Sequence, residues 1–98
     1  MFDKMKQLME MQKKMQAMKI ELENTTFEVT SSDGVIKITM DGGQLVREIT
    51  LQKDPKELDK NNLENSLKDA YNRAIKRSHE IAASKMKNIA GFNIPGLT

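Results

Sequence analysis

Few side chains in this 98-residue sequence are suited to acid–base chemistry, and His79 is its only histidine. General acid–base and nucleophilic catalysis need a reactive group held beside a second one in a pocket. On a helical wheel His79 lies about 110° from the centre of the surrounding apolar positions, on the flank of a solvated helix. The sequence contains no phosphate-binding loop and neither Gly-x-Gly-x-x-Gly nor Gly-x-Ser-x-Gly. We therefore predict no catalytic residue, no enzymatic activity and no small-molecule substrate.

Metal binding is the second kind of chemistry to consider. One histidine and no cysteine cannot assemble the nitrogen and sulfur tetrad of a zinc site. Six of the eight methionines fall within the first 20 residues, and thioethers suit Cu(I). Because these methionines recur at helical spacing, packing in a core or an interface is favoured over copper binding. We predict no metal and no cofactor.

Basic residues are the third candidate group, concentrated in the stretch NRAIKRSHEIAASKMK. Four of them share an arc of about 100° on a helical wheel, opposite the apolar positions: Arg73, Lys76, Arg77 and Lys87. Lysines lie opposite the apolar arc of the first helix as well: Lys6, Lys13 and Lys14. Acids stand four positions from two of the bases, a spacing typical of ordinary helix ion pairs: Asp69 before Arg73, and Glu80 after Lys76. The residues alone leave two interpretations open, a solvated helix face and a surface that binds a polyanion.

Charge is segregated along the chain, although the formal net charge is only +2. Residues 1–20 sum to +3, residues 21–66 to −5 and residues 67–98 to +4. Helix-turn-helix spacing, zinc-finger ligands and exposed aromatic pairs are absent, so base-edge readout has no evident machinery. Any binding to nucleic acid is therefore expected to rely on phosphate contacts and to depend steeply on salt.

Length and composition favour a single small domain, residues 1–98. The core of such a domain is small and marginally stable, so oligomerisation is expected to add stability. The absence of cysteine fits a reducing compartment. Lys, Gln or Glu interrupts every apolar run near the N-terminus, so we predict neither a signal peptide nor a membrane span. We expect a soluble cytoplasmic protein without a membrane partner.

The predicted elements follow the order of an α+β fold. A long helix is predicted over residues 1–23, which contain no glycine or proline and place apolar residues three or four apart. Its apolar arc is about 200° wide, whereas one core needs little more than about 100°. We therefore expect this helix to pack on two partners. After a sheet, we predict a short helical turn over residues 55–59, a second long helix over residues 61–90 and a tail over residues 91–98.

The sheet is predicted over residues 26–52 as a three-stranded antiparallel meander, from the alternation in TFEVTS, GVIKITM and QLVREITL. The intervening Asp-Gly and Gly-Gly sequences at Gly34, Gly42 and Gly43 are expected to supply the positive φ of tight hairpins. One face of the sheet is expected to be covered, and its apolar residues are Ile36, Ile38, Met40, Leu45, Ile49 and Leu51.

Several segments are specific enough to compare with known families: the Met- and Lys-rich first helix, GVIKITMDG, LVREITLQKDP, LENSLKDAYNRAI and SKMKNIAGFNIPGL. Their order resembles the YbaB/EbfC family of bacterial nucleoid-associated proteins, and the resemblance covers nearly the whole chain. It implies a small cytoplasmic homodimer whose sheets join at the centre and whose long helices project like tweezers. It also implies binding to double-stranded DNA with low or variable sequence preference, in the service of nucleoid organisation and gene expression.

The resemblance further implies roles for particular residues. DNA contacts would come from basic residues on the projecting helices: Lys13, Lys14, Arg73, Lys76, Arg77, Lys85 and Lys87. The dimer interface would include Met11, Met15, Met18, Ile36 and Ile38. Lys85 falls on the apolar side of its helix, so a snorkelling contact at an interface is an alternative for it. The near-neutral net charge keeps a second function open, a protein-interaction scaffold that uses the Met-rich helix without direct DNA binding. The sequence also departs from many relatives in having a single glycine before the final Pro-Gly-Leu.

Overall fold

The fold is described by a computed structural model that covers the backbone of residues 2–88 and the side chains of residues 3–87. Helix α1 spans Phe2–Glu23, and strands β1, β2 and β3 span Thr26–Thr30, Ile36–Asp41 and Val46–Leu51. A 3-10 turn at Pro55–Glu57 leads into helix α2, Lys60–Asn88. The predicted α+β order is confirmed. The predicted tail, residues 91–98, lies outside the described residues, as does the end of the predicted second helix.

The three strands form one antiparallel sheet in the order β1-β2-β3, as predicted. Gly34 in the first turn has the predicted positive φ, 76°. In the second turn the prediction was wrong, because the positive φ of 70° falls on Gln44. Gly42 is needed there for a different reason. Its N–H donates to the Leu22 carbonyl of α1 at 2.8 Å, and a Cβ at Gly42 would lie 2.8 Å from the same oxygen.

The carboxylate of Asp41 fixes the second turn and connects it to the end of α1. Its Oδ1 accepts the N–H groups of Gly43 at 2.8 Å and Leu45 at 3.1 Å. Its Oδ2 lies 2.8 Å from Nη2 of Arg47, and this nitrogen also donates to the Glu23 carbonyl at 3.3 Å. Burial acts to raise the pKa of Asp41, but the bonds from Leu45, Arg47 and Gly43 outweigh it and hold the pKa below its ordinary value. The buried acid is therefore satisfied as a carboxylate.

Helix α2 packs over β1 and β2 and forms the core with them. Ile36, Ile38 and Met40 are buried on the covered face of β2, as predicted. Ala70 and Ala74 of α2 pack against them. Their methyl groups let the helix backbone approach the sheet, so this contact is close-packed.

Strand β3 is left largely uncovered, which contradicts the prediction of a covered apolar face there. Ile49 is 51% exposed and Leu51 is 40% exposed. A register shift in the β2–β3 pairing sets Val46, and not Leu45, opposite Met40, so Leu45 does not belong to the predicted face. Within the described part of the chain, the apolar face of β3 is therefore covered only near Val46, which packs against the core.

Helix α1 joins the body of the protein near its C-terminal end, through Leu22 and Glu23. Apolar side chains nearer its start are exposed: Met5, Leu8, Met9, Met11 and Met15. The wide apolar arc of α1 thus remains open within one chain. That this helix packs on two partners stays a prediction.

Candidate nucleic-acid interface

Helix α2 presents basic residues to solvent because its other side is packed on the sheet. Small buried residues recur every four positions on the packed side: Ala70, Ala74 and Ser78. Arg73, Lys76 and Arg77 lie between or next to these positions in the sequence, and their side chains are exposed. The spacing of small and basic residues in the sequence thus sets the direction of this charged face.

Three basic residues meet in one open cleft of about 540 Å³ between α2 and strand β1. The lining consists of Val29, Asp69, Asn72, Arg73, Lys76, Arg77 and Glu80. Guanidinium and ammonium groups beside an amide are donors suited to phosphate oxygens. The cleft therefore has side chains suited to binding a phosphate group, and its lining also includes two acids, Asp69 and Glu80.

Both arginines of the cleft are paired with an acid on the same helix. Arg73 donates from Nε to both carboxylate oxygens of Asp69, each at 3.1 Å. Arg77 donates from Nη1 to Oε2 of Glu80 at 3.2 Å. The spacing of four between Lys76 and Glu80 is typical of a helix ion pair, but in the structure Glu80 pairs with Arg77, three residues before it. Lys76 forms no ion pair with any residue in the described range.

Asp69 is also held from outside its helix. Its Oδ2 accepts the backbone N–H of Ser32, in the β1–β2 turn, at 2.8 Å. This bond and the one from Arg73 hold the pKa of Asp69 below its ordinary value. Asp69 is thus a carboxylate with fixed partners on two elements, whereas within residues 3–87 Glu80 pairs with Arg77 alone.

A second carboxylate clamps the same turn to α2. Asp33 accepts hydrogen bonds from the hydroxyl of Ser31 at 2.6 Å, from the hydroxyl of Ser66 on α2, and from the N–H of Val35 at 3.1 Å. These three bonds, in that order of importance, lower the pKa of Asp33 to about 2. The turn that supports Asp69 is therefore itself fixed to the helix.

The other predicted DNA-contact residues lie outside this cleft. Lys87 is exposed near the end of α2, and Lys13 and Lys14 are exposed on α1. Lys85 is placed differently, since its Nζ lies 2.8 Å from Oε1 of Glu21 and its side chain is only 21% exposed. This ion pair joins α1 to α2 and agrees with the snorkelling alternative for Lys85. The assignment of these residues to DNA contacts stays a prediction.

A surface that the sequence reasoning missed is an apolar groove between β3 and α2. It is lined by Ile38, Val46, Ile49, Glu64, Leu67, Lys68 and Tyr71. Leu67 and Tyr71 belong to the apolar stripe of α2, and they are 41% and 47% exposed. The available signal was the width of this stripe, in which large residues flank the small Ala70 and Ala74. A stripe that wide can cover β1 and β2 and still present apolar side chains beside β3.

The residues predicted for a dimer interface are placed in two ways. Ile36 and Ile38 lie in the core of the protomer itself, with Ile38 also at the lining of the groove. Met11 and Met15 are exposed on α1, and Met18 is half-buried. Met15 and Met18 line a second apolar hollow with Leu22 at the base of the helix. Met11 and Met15 are therefore accessible to a partner, whereas Ile36 and Ile38 are almost fully buried in the protomer.

Within the residues that the structure describes, no cluster of three histidine or acidic side chains is arranged to hold a metal ion. His79 is exposed on α2. Neither α1 nor α2, as far as they are described, has an apolar stretch long enough to cross a bilayer.

Comparison with known proteins identifies the family. Residues 1–92 match the model of the YbaB/EbfC DNA-binding family. The chain belongs to this family. The resemblance carried by the strand and helix segments is thereby confirmed, and the YbaB/EbfC proteins form a DNA-binding family and not an enzyme family, as predicted.

Proteins similar to this one match most of the chain. A nucleoid-associated protein of Ruminiclostridium cellulolyticum is 35% identical and is aligned over 95% of this chain and 84% of its own length. A nucleoid-associated protein of Caldanaerobacter subterraneus subsp. tengcongensis is 37% identical over 94% of this chain and 85% of its own. The crystal structure of an uncharacterized Helicobacter pylori protein has a TM-score of 0.76 and 20% identity, and it covers 93% of this chain and 98% of its own. That structure shares the fold.

Proposed function

We propose that this protein binds double-stranded DNA as a homodimer with low or variable sequence preference, and that it takes part in nucleoid organisation and gene regulation. The observation that carries the proposal is the cleft in which Arg73, Lys76 and Arg77 are exposed together. Membership of a DNA-binding family and relatives named as nucleoid-associated proteins support a nucleic-acid partner and a location in the nucleoid.

The cleft favours contacts to the phosphate backbone over contacts to base edges. Its donors are charged side chains on the outer face of one helix, and a single α-helical face without a reading motif selects sequence weakly. Phosphate contacts release counterions, so such binding weakens steeply with salt. The two acids in the same cleft reduce the local positive charge, which favours moderate affinity for each protomer.

A second copy of the chain is the partner that best suits the apolar groove. Most of the residues that line the groove are apolar, and β3 beside it is an edge strand, one side of which is unpaired within the described residues. Edge strands with exposed apolar side chains are a liability unless something covers them. A two-fold pairing there buries Ile49, Leu51, Leu67 and Tyr71 of both copies and doubles the number of basic residues offered to one duplex.

DNA binding is tested by fluorescence anisotropy with a labelled mixed-sequence duplex at low and moderate salt. Replacing Arg73, Lys76 and Arg77 by Gln is expected to weaken binding similarly for unrelated sequences. The matched control replaces Lys53, Lys56 and Lys60, which are exposed and outside the cleft, by Gln. The two triple variants have the same net charge, so equal losses would refute the assignment to the cleft. A wild-type protein that does not bind at low salt would refute DNA binding itself.

Dimerisation is tested by sedimentation velocity over a range of concentrations. Ile49→Lys places a charge in the groove and is expected to yield monomers, because an unpaired charge at a buried interface is costly. Gln52→Lys carries the same charge change just beyond β3 and is expected to leave the dimer intact. A wild-type monomer, or equal effects of the two substitutions, would contradict the proposed interface.

A second candidate function is a protein-interaction scaffold that uses the methionines of α1. The observation in its favour is the exposure of Met5, Met9, Met11 and Met15 along one helix, since methionine-rich surfaces adapt to different partners. Its signature is association with another protein that is insensitive to salt and is lost in Met11→Gln/Met15→Gln. The cleft variants are expected to leave such association unchanged.

A further inference from the structure

Asp69, which lines the basic cleft, has a hydrogen-bond partner outside its own helix, unlike the acid of an ordinary helix ion pair. Asp69 accepts the Ser32 N–H at 2.8 Å and the Arg73 Nε–H at 3.1 Å. The first partner belongs to the β1–β2 turn and the second to the cleft. The carboxylate is therefore anchored to the sheet side of the protein and is not free to follow Arg73 wherever that side chain moves.

The guanidinium atom of Arg73 that pairs with Asp69 determines which of its N–H groups can bind another acceptor. Its hydrogen bonds to Asp69 come from Nε alone, so the N–H groups of both terminal nitrogens remain for another acceptor. Those two nitrogens form one edge of the guanidinium that can bind a phosphate in a bidentate manner, and the Nε side is occupied by Asp69. Arg77 is bound instead through Nη1, one of its terminal nitrogens, so Glu80 competes directly with an incoming phosphate.

We propose that Asp69 is a positioning residue for DNA binding: it holds Arg73 so that both terminal nitrogens face the phosphate, and so it raises affinity despite its negative charge. This inference rests on the proposed function. Ordering a long side chain on binding has an entropic cost, and a side chain that is already oriented avoids much of it. Glu80 has no anchor beyond its helix among the described contacts and acts only as a competitor for Arg77.

The proposal predicts opposite effects for two substitutions with the same charge change. Asp69→Asn keeps an oxygen that can accept the Ser32 N–H but loses the charged bond to Arg73, and it is expected to weaken duplex binding about threefold to tenfold, the fold-change equivalent to losing that orientation. Glu80→Gln is the matched control in the same cleft and is expected to strengthen binding by removing a competitor. Affinities are measured by anisotropy on the full chain, with circular dichroism to show that both variants are folded.

A double-mutant cycle separates positioning from a structural effect. In an Arg73→Gln background, Asp69→Asn is expected to cause no further loss, because it acts through Arg73, whereas a structural defect would add its own loss. Tighter binding by Asp69→Asn in the otherwise wild-type chain, or an equal loss in both backgrounds, would overturn the proposal. Neither result would affect the proposed function, which fails only if the wild-type protein does not bind the duplex or binds independently of the cleft.

Discussion

Gly42→Ala is expected to destabilise the junction between α1 and the sheet. A Cβ at this position would lie 2.8 Å from the Leu22 carbonyl oxygen and 2.9 Å from Leu22 Cδ2. The same carbonyl accepts the Gly42 N–H at 2.8 Å, so moving the two segments apart also stretches a hydrogen bond. Gly42 does not have a positive φ, so the effect comes from lack of space and not from backbone strain.

The expected decrease in the free energy of unfolding has two contributions, a steric one and the weakening of a hydrogen bond. Forcing an extra methyl group into a close contact costs about 1–3 kcal/mol, and weakening one intramolecular hydrogen bond costs about 1 kcal/mol. The free energy of unfolding is therefore expected to fall by about 2–4 kcal/mol. For a domain of this size each kcal/mol shifts the melting temperature by about 4–8 °C, so a decrease of about 10 °C or more is expected.

Thermal unfolding followed by circular dichroism provides the assay, at a fixed protein concentration because a dimer melts in a concentration-dependent way. Gly43→Ala is the matched control. Its Cβ would meet Asp41 Oδ1 at 3.2 Å and Glu23 Cγ at 3.6 Å, which are longer contacts than those at Gly42 and involve side-chain atoms rather than a backbone oxygen. A Gly42→Ala variant that melts at the same temperature as Gly43→Ala would refute the reasoning about this contact.

Three further predictions concern the acid stability of the fold, the salt dependence of DNA binding and the packing of the core. Because the pKa of Asp33 is lowered from 3.8 to about 2, its contribution to stability is complete above pH 3.8 and is lost as pH falls through 2. Asp33→Asn should therefore reduce the pH dependence of the free energy of unfolding in that window, and an unchanged pH dependence would contradict this. If a dimer presents Arg73, Lys76 and Arg77 from both clefts, log K should fall with log salt at a slope of about −5, and a slope near zero would exclude phosphate-led binding. Ala74→Leu should lower the free energy of unfolding by about 1–3 kcal/mol in urea titrations, because Ala74 is fully buried against the sheet; a neutral effect would show spare volume there.

Much of the fold was predictable from local pattern. Helical spacing, the absence of glycine and proline before residue 24, and alternation in the strands are local signals, and the structure follows them closely. The basic face of α2 was predictable for the same reason, since the buried small residues and exposed bases of one helix are related by a fixed periodicity. The exact pairing of charges on α2 was not predictable. Glu80 pairs with Arg77, three residues away, because side-chain rotamers and neighbouring partners determine whether an ion pair forms at a spacing of three or four.

The features that could not be predicted depend on residues distant in sequence. A register shift brought Val46 opposite Met40, and the breadth of the sheet relative to one helix left Ile49 open. The need for glycine at position 42 arises from the approach of Leu22, which no local pattern near the turn records. Asp69 likewise gains its second partner from the β1–β2 turn.

The sequence by itself determined which elements form, which side of α2 is basic, and the family to which the chain belongs, because these depend on periodicity and on the order of segments. Only the tertiary structure decided that Lys85 pairs with Glu21, that the apolar side chains of β3 and α2 meet in an open groove, and that Asp69 links the turn to Arg73. These depend on how far one helix extends across the sheet and on the distances between side chains on different elements.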